Sequence, residues 1–385
     1  MKRLLLILAT ALGAAACVYP FSTEAEGQVP RSLVVDGNIL VGTVSTFHLR
    51  YLQPIWAADY EMRDDTPSGV LWIEDSEGKA YKDGTVTGPS TDFSIDLSGA
   101  SKSLKYKLHI DFDAEGRHYQ TPWLEVRKAP IIDYMDFAAD ENQVLAKCTL
   151  KPDTDEKGLY IMDIEEDWET QAQYWQSYDF ILDNTKRQGG YYAERTANPH
   201  YYCWKKASSK RSVLSSTKDM SEVTLNSFVF HRFSRYDDRT KIQYAVLLKV
   251  RGVSEEGYDF AKMIASNSDI TGSLFTPVPS EMRGNIFCDE DPSEMVYGFV
   301  DAATIRQKRV FLDGRYYLYQ EPYDERFVPD LEDGELTLEY FYTSGNRPVG
   351  YSAGGEMLWA PLRCVDCVEA GGTKNKPDYW PNSHE

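Results

Sequence analysis

The chain lacks most of the short signatures by which an enzyme is recognised from sequence. It contains no His-Glu-x-x-His pair, no phosphate-binding Walker loop and no dinucleotide-binding glycine pattern. Its histidines are few and scattered, and no local context gives any of them a triad partner. We therefore expect each to be a surface or internally satisfied side chain, and the protein not to be an enzyme. The histidines are His48, His109, His118, His200, His231 and His384.

Basic side chains are in short supply relative to acidic ones. The 385 residues include 41 lysines and arginines against 60 aspartates and glutamates, a formal charge of -19. A polyanion repels phosphate backbones and anionic lipid heads, so nucleic acid is not an expected partner. Hydrophobic residues make up 42% and aromatic residues 13% of the chain, which is enough for a packed core.

The opening apolar run is too short to cross a bilayer, which takes roughly 20 residues. It covers residues 4–12, follows the basic Lys2 and Arg3, and leads into small residues that end at Cys17. This order is typical of a secretory signal peptide, and Ala15-Ala16-Cys17 resembles the bacterial lipobox. We predict cleavage after residue 16, which leaves a formal charge of -21, and a lipid anchor on Cys17.

Cysteine is also sparse, and its number is odd once Cys17 carries a lipid. Five cysteines then remain, so at least one stays free or pairs outside the chain. Cys364 and Cys367 form a single Cys-x-x-Cys, without the second pair or nearby histidine that a zinc site would use. In an oxidising compartment this pattern favours a disulfide between them over a metal site, and we expect no cofactor.

Short alternating runs separated by turn residues predict a mainly β protein. In the N-terminal part they indicate an immunoglobulin- or fibronectin-like sandwich, with Tyr106 in the position of a tyrosine corner. The predicted strands of this part are Ser32–Leu40, Ser45–Leu52, Gly69–Glu74, Asp92–Leu97, Leu104–Phe112 and His118–Val126.

Later runs predict a second, sandwich-like β domain with long insertions and one short helix, Glu255–Ala265. Its predicted strands are 131–137, 144–150, 158–164, 241–250, 295–300 and 309–312, and the tail adds 334–342 and 357–362. The expected organisation is a signal peptide at 1–16, a tether at 17–30, the first sandwich at 31–129, the second at 130–312 and a C-terminal β segment at 313–385.

Two patterns in the insertion are candidates for binding or chemistry. Aromatic side chains suit contacts with sugars or extended peptides, but they suit a core equally well. We take Trp168, Trp175 and Trp204 as candidate ligand contacts. Carboxylates crowd the same stretch; in a chain this acidic they predict a solvated acidic edge rather than a glycosidase pair or calcium loop. They are Asp163, Glu165, Glu166, Asp167 and Glu169.

The order of several short motifs resembles a family of Bacteroidota outer-membrane lipoproteins catalogued as domain of unknown function 4249. The resemblance runs from about residue 17 to the end of the chain. The matching residues are 33–37, 106–110, Gly116, Tyr119, Cys203-Trp204, 272–275, Pro277, Pro279, Ser280, 284–286, 296–299, Cys364, Asp366, Cys367, Gly371, Gly372, Pro377 and Trp380.

This resemblance implies an accessory to a TonB-dependent outer-membrane transporter that helps to capture or admit a nutrient such as a glycan or peptide. It carries over no ligand residues. Two other hypotheses remain open from the residues alone. One is an adhesion or surface-assembly lipoprotein, and the other is a hydrolase that uses the carboxylates of residues 163–169.

Overall fold

The computed structural model describes residues 32–52, 66–112, 116–209, 211–269, 284–316, 323–331 and 336–381. The predicted leader, the tether and Cys17 lie outside these residues. Within them the chain is mainly β, as predicted, and no helix is long and apolar enough to cross a membrane.

The first module is a sandwich of two antiparallel sheets. One sheet has the order β1-β3-β6 and the other the order β19-β8-β7-β4-β5, with β9 on β7. Side chains alternate between core and solvent along β3 and β6, which explains why the sequence pattern predicted them. The strands before residue 130 are β1 Leu33–Gly37, β2 Ile39–Leu40, β3 Val44–Tyr51, β4 Val70–Asp75, β5 Ala80–Lys82, β6 Asp92–Asp96, β7 Lys105–Phe112, β8 Arg117–Gln120 and β9 Leu124–Glu125.

Tyr106 forms the predicted tyrosine corner. Its ring is fully buried at the start of β7, and its hydroxyl donates a hydrogen bond of 2.6 Å to the carbonyl oxygen of Ser101. A buried hydroxyl must find an acceptor, and this one lies five residues upstream, where it fixes the turn into β7. Burial raises the pKa of Tyr106 to about 12, so the hydroxyl remains a donor at neutral pH.

The second module packs the sheet β10-β11-β17 against the sheet β15-β12-β18-β21, with β16 on β12. Its centre is the long antiparallel pair of β12 and β18, which runs from Tyr160 opposite Gly252 to Glu169 opposite Gln243. The strands are β10 Ile131–Ala139, β11 Gln143–Lys151, β12 Leu159–Gln171, β15 Tyr202–Ser208, β16 Val213–Ser216, β17 Leu225–Ser234, β18 Gln243–Gly252 and β21 Ile305–Asp313.

Residues 284–303 return from the second module to the first. Phe287–Cys288 (β19) pairs with β8, and Ala302–Ala303 (β20) pairs in parallel with β2. Helix α1, Glu255–Asp269, precedes this return. The first core therefore includes Ile286, Val296 and Val300, although the sequence boundaries placed them in the second domain.

The strand predicted at 295–300 is wrong. In this stretch only Tyr297 bridges to Val34, and Gly298 adopts φ +117°, a conformation that breaks an extended strand. A Cβ at Gly298 would lie 2.0 Å from the carbonyl oxygen of Val35, so the close approach of these two segments requires glycine.

A smaller aromatic cluster forms around Phe180 and the fully buried Trp359. The strand predicted at 334–342 is wrong here, because Leu338–Thr343 is a helix (α2) whose N-cap Thr337 accepts a hydrogen bond from the Tyr340 amide. The predicted strand at 357–362 is confirmed as β23. The other elements are β13 Tyr178–Leu182, β14 Gly190–Glu194, β22 Asn346–Tyr351, β23 Met357–Pro361, helix α3 Leu362–Val365 and the 3-10 turns Asp238–Thr240 and Gly314–Tyr316.

The predicted disulfide between Cys364 and Cys367 is wrong. Cys367 pairs with Cys203 of β15, 164 residues away in sequence, whereas the Cys364 thiol, on α3, lies 3.5 Å from Glu325 Oε1. The backbone turns between the two cysteines, so that Cys364 faces one cluster and Cys367 another. The bond thus ties the C-terminal segment to the edge of the second module.

We expect a Cys203→Ala, Cys367→Ala double variant to lose roughly 2–5 kcal/mol of unfolding free energy, because the bond restricts a long loop in the unfolded chain. Urea unfolding with and without reductant measures this loss, and reductant should add nothing to it in the double variant. Non-reducing peptide mapping provides a direct check. A Cys364–Cys367 peptide there would contradict the pairing.

Candidate functional site

A cleft with a volume of about 610 Å³ lies where the two modules meet. One wall is the edge of the first module, formed by β1 and residues 297–301. The other wall is the outer face of the second sheet at the end of β18, together with helix α1. Clefts of this size between modules hold drug-sized ligands.

The helix wall is fixed by its first turn. Ser254 accepts a hydrogen bond of 3.0 Å from the Gly257 amide, and its hydroxyl donates one of 3.0 Å to Asp301 Oδ2. Glu255 and Glu256 stand at the N-terminus, where the helix dipole favours negative charge. Ser254 therefore caps α1 and also joins the helix to the segment that returns to the first module.

The walls of the cleft combine apolar side chains with several polar ones, among them Asp36, Asn38 and Ser212. Phe260 of α1 contacts Phe299 across the cleft, with ring centroids 5.5 Å apart. Ile161 belongs to a small cluster that seats α1 on β12. The apolar lining residues are Val34, Val35, Leu52, Ile161, Leu214, Val253, Phe260, Ala261, Ile264, Ala265, Tyr297 and Phe299.

Arg251 brings positive charge into this apolar space. It lies on β18 opposite Ile161 and Ile305, so its side chain leaves the outer face of the sheet and lines the cleft half-buried. Burial lowers the pKa of the guanidinium from its ordinary value, and the charges of Asp163 and Asp301 partly oppose that shift. The group remains a cation at neutral pH, since an arginine pKa starts above 12.

The carboxylates nearest to Arg251 are bound to other groups. Asp163 Oδ1 accepts a hydrogen bond of 2.5 Å from the Ser212 hydroxyl. Asp301 Oδ2 accepts two bonds of 3.0 Å from the amide and hydroxyl of Ser254. Burial raises the pKa of Asp301 above its ordinary value. Both lie close enough to influence the arginine, but neither forms an ion pair with it within 4.0 Å.

Two of the three tryptophans predicted to contact ligand do not form a binding surface. Trp168 is 7% exposed in the second core, where the Arg239 guanidinium lies 4.5 Å from its ring centroid. Trp204 is 3% exposed and packs with Ala245 and Trp380. The prediction is wrong for both, because aromatic side chains bury wherever a core is available.

Trp175 lies elsewhere and is 44% exposed. Its ring meets Tyr201 edge-to-face, with centroids 5.0 Å apart. The structure does not bring Trp175 together with Trp168 or Trp204, and none of the three lines the cleft. Ligand contact by Trp175 stays a prediction.

The acidic stretch is divided by the alternation of β12 rather than exposed as one edge. Glu166 points into the second core, where Oε1 lies 2.7 Å from His231 Nε2 and Oε2 lies 2.9 Å from Arg239 Nη2. Glu169 is also buried, so the predicted solvated edge is wrong for these two. Glu165 remains more exposed and pairs with Lys249.

Burial raises the pKa of the Glu166 carboxyl, but hydrogen bonds and charges from His231 and Arg239 outweigh it and leave the pKa below its ordinary value. A general acid needs the opposite shift. Glu166 therefore fits a structural anion better than a catalytic acid.

His109 is internally satisfied, as predicted for it. Its Nε2 lies 3.1 Å from Glu74 Oε2 and its Nδ1 lies 3.1 Å from His118 Nε2, while its ring stacks on Trp72. His118 also hydrogen-bonds Asp111. In the described part of the chain, no set of three histidine, cysteine or acidic side chains has the arrangement of a metal site.

Sequence reasoning missed one catalytic-type motif, Gly350-Tyr351-Ser352-Ala353-Gly354, which matches Gly-x-Ser-x-Gly. In hydrolases that pattern forms a sharp turn between a strand and a helix. Here it closes the β22–β23 hairpin, and the Ser352 hydroxyl accepts hydrogen bonds of 3.2 Å from the amides of Gly354 and Glu356. The serine stabilises a turn, and the nucleophile elbow does not form.

The fold and the cleft define a mainly β protein of two sandwich modules with a ligand-sized space between them. The model of the family described as "Domain of unknown function (DUF4249)" matches residues 18–309. The chain belongs to this family.

A comparison with curated proteins gives no significant match. Among solved structures, the chain is similar to a Bacteroides uniformis protein proposed to bind carbohydrate. The identity is 8%, the TM-score is 0.15, and the match covers 60% of this chain and 93% of that one. A TM-score this low supports no argument about fold or ligand.

We expect Glu166→Gln to lower the unfolding free energy at pH 7 by about 1–3 kcal/mol, because it removes the buried anion between His231 and Arg239 and leaves Arg239 with Asp237 alone. The folded-state pKa of Glu166 is lowered, so its stabilisation is present above the ordinary pKa of 4.5 and is lost as pH falls through the folded value. The difference from wild type should therefore shrink on acidification.

Urea unfolding at pH 7 and below pH 4 measures both effects. The matched control is Glu165→Gln on the same strand, whose more exposed pair with Lys249 should contribute less than about 1 kcal/mol. Equal losses in the two variants would contradict the buried network.

Proposed function

We propose that the protein is a non-catalytic outer-membrane lipoprotein that captures an extracellular nutrient in the cleft and presents it to a TonB-dependent transporter. The observation that carries the binding half of this proposal is the cleft between the modules, with its partly apolar walls and the half-buried Arg251. Two more arginines, Arg50 and Arg211, line the cleft as exposed side chains. The predicted signal peptide, with its resemblance to a lipobox, and the family resemblance described above support the envelope and transporter halves.

The lining of the cleft favours binding over catalysis. Its described residues include neither histidine nor cysteine. The buried Asp301 accepts hydrogen bonds from Ser254, and the nearby Asp163 accepts one from Ser212, whereas Asp36 is an exposed carboxylate of the lining. The carboxylates of Asp163 and Asp301 are held in place by these serines, so their role is to fix the geometry of the site. A general base would need a free lone pair directed at the ligand.

An exposed apolar surface favours adhesion or surface assembly as a second candidate. On the β13–β14 hairpin Ile181 stands directly opposite Tyr191, and the two side chains are 41% and 48% exposed. Tyr340 of α2 and Tyr351 of β22 are exposed as well. Such surfaces in soluble domains mark contacts with other proteins, and a transporter is one possible partner.

The first experiment is a pull-down of the lipidated protein from native membranes, followed by mass spectrometry. We expect a TonB-dependent receptor to be recovered. Cys17→Ala, which removes the predicted lipid, should leave the membrane fraction and lose the receptor. Recovery of pilin-like or adhesin proteins instead would favour the second candidate, and recovery of the lipoprotein alone would count against the transporter.

The second experiment fills the cleft. Ala261→Trp places an indole in the space from helix α1, and we expect cells carrying it to grow as slowly as a gene deletion on those nutrients where the deletion slows growth. Lys262→Trp is the matched control, because Lys262 is exposed on the same helix and does not line the cleft. The cleft would be excluded as an uptake site if both variants grow like the wild type. The same conclusion would follow if the deletion strain grows like the wild type on every nutrient.

A further inference from the structure

We propose that the cleft takes a ligand with one carboxylate on an apolar body, and that Arg251 binds the carboxylate. This inference rests on the proposed function and names the chemical class of its ligand. Two independent features carry it: the hydrogen-bonding state of Arg251 and the nature of the surrounding walls.

The donors of Arg251 are largely unmet by the described residues. A guanidinium offers five N–H donors in a planar fork, and a half-buried one is costly unless they are satisfied. Arg251 donates from Nη1 to Asn38 Oδ1 over a long 3.5 Å, and no described carboxylate lies within 4.0 Å. The fork therefore has room for a bidentate anion.

Two other arginines of the second module, unlike Arg251, are paired with carboxylates. Arg239 contacts both Glu166 and Asp237, and Arg306 contacts Asp153. Each of these cations has its anion within 3.3 Å. Arg251 differs because Asp163 and Asp301 are both held by serines, so their charges stabilise the cation without occupying its donors.

The side chains of the walls indicate the chemical character of the rest of the ligand. Ile161, Leu214 and Val253 lie near the base of the arginine, and Phe260 and Phe299 form an aromatic pair in the same space. These side chains gain free energy from covering an apolar body. A cavity of 610 Å³ limits that body to the size of a medium-chain fatty acid or a short apolar peptide.

The net charge of the chain restricts the ligand further. At -19 the protein repels anions at long range, and repulsion grows with the charge of the ligand. A single carboxylate is attracted locally by Arg251 at small long-range cost. Polyanions such as oligonucleotides are excluded by the same field.

The test is isothermal titration calorimetry of the full chain carrying Cys17→Ala, with two matched pairs of probes. Octanoate and octanamide represent a fatty-acid source, and N-acetyl-Leu-Phe with a free or amidated C-terminus represents a peptide source. In at least one pair the carboxylate should bind about tenfold to a hundredfold more tightly than its amide, because charged hydrogen bonds carry most of the difference. The pair with the larger ratio identifies the source.

Arg251→Met should remove that preference while leaving amide binding within about twofold, because the apolar stem still covers the wall. Arg251→Lys should restore part of it, since lysine keeps the charge but loses the fork. Arg306→Met, a paired arginine outside the cleft, should change nothing. Thermal melts verify that each variant is folded.

Equal binding of acid and amide by the wild type, or no binding of any probe, overturns the inference. If the wild type binds acid and amide equally and Ala261→Trp abolishes that binding, the cleft remains a binding site, and only the preference for a carboxylate is refuted. The membrane pull-down and the growth comparison judge the proposed function separately, so the two failures are distinguishable.

Discussion

The short parallel pairing of β2 with β20 anchors the returning segment to the first module beside the cleft. Ile39 and Leu40 stand beside Ala302 and Ala303, and the Asn38 side chain accepts a hydrogen bond of 3.1 Å from the Asp301 amide. All four paired side chains are apolar, and both alanines are fully buried, so the pairing is protected from water. Because β21 of the second sheet begins at Ile305, directly after this pairing, the contact lies at the junction of the two modules.

Charged side chains on the two faces of the second sheet differ in whether they have a paired counter-ion. On the inner face Glu166 is surrounded by His231 and Arg239, because a carboxylate that enters a core without partners would cost several kcal/mol. On the outer face, at the end of β18, Arg251 has charges nearby but lacks a paired anion among the described residues. Glu166 is thus paired within the fold, whereas in our proposal a ligand supplies the anion of Arg251. This contrast is the reason for proposing a functional role for Arg251.

Local patterns predicted much of the fold. Period-two alternation located β3, β6 and β11 within one or two residues, and the position of Tyr106 in its strand predicted a hydrogen bond that the structure contains. Predictions failed where the outcome depends on distant partners. Cys367 had a close neighbour in sequence but pairs with Cys203. Apolar residues alternate with a strand-like period over 336–342, but Leu338–Thr343 is a helix that packs in the cluster around Trp359. Neither partner is visible from the local pattern.

The cleft could not be predicted from the sequence, for a related physical reason. Val34, Arg251 and Phe299 are ordinary residues in their own segments, and only the return of residues 284–303 places them around one space. The tryptophans attracted attention because large aromatic side chains suit ligands, but the same property draws Trp168 and Trp204 into cores. A site is better sought where a polar group that faces a cleft lacks its partner. Arg251 lines a cleft and has no described anion, so it is more informative than Trp168 and Trp204, whose positions in separate cores are explained by burial.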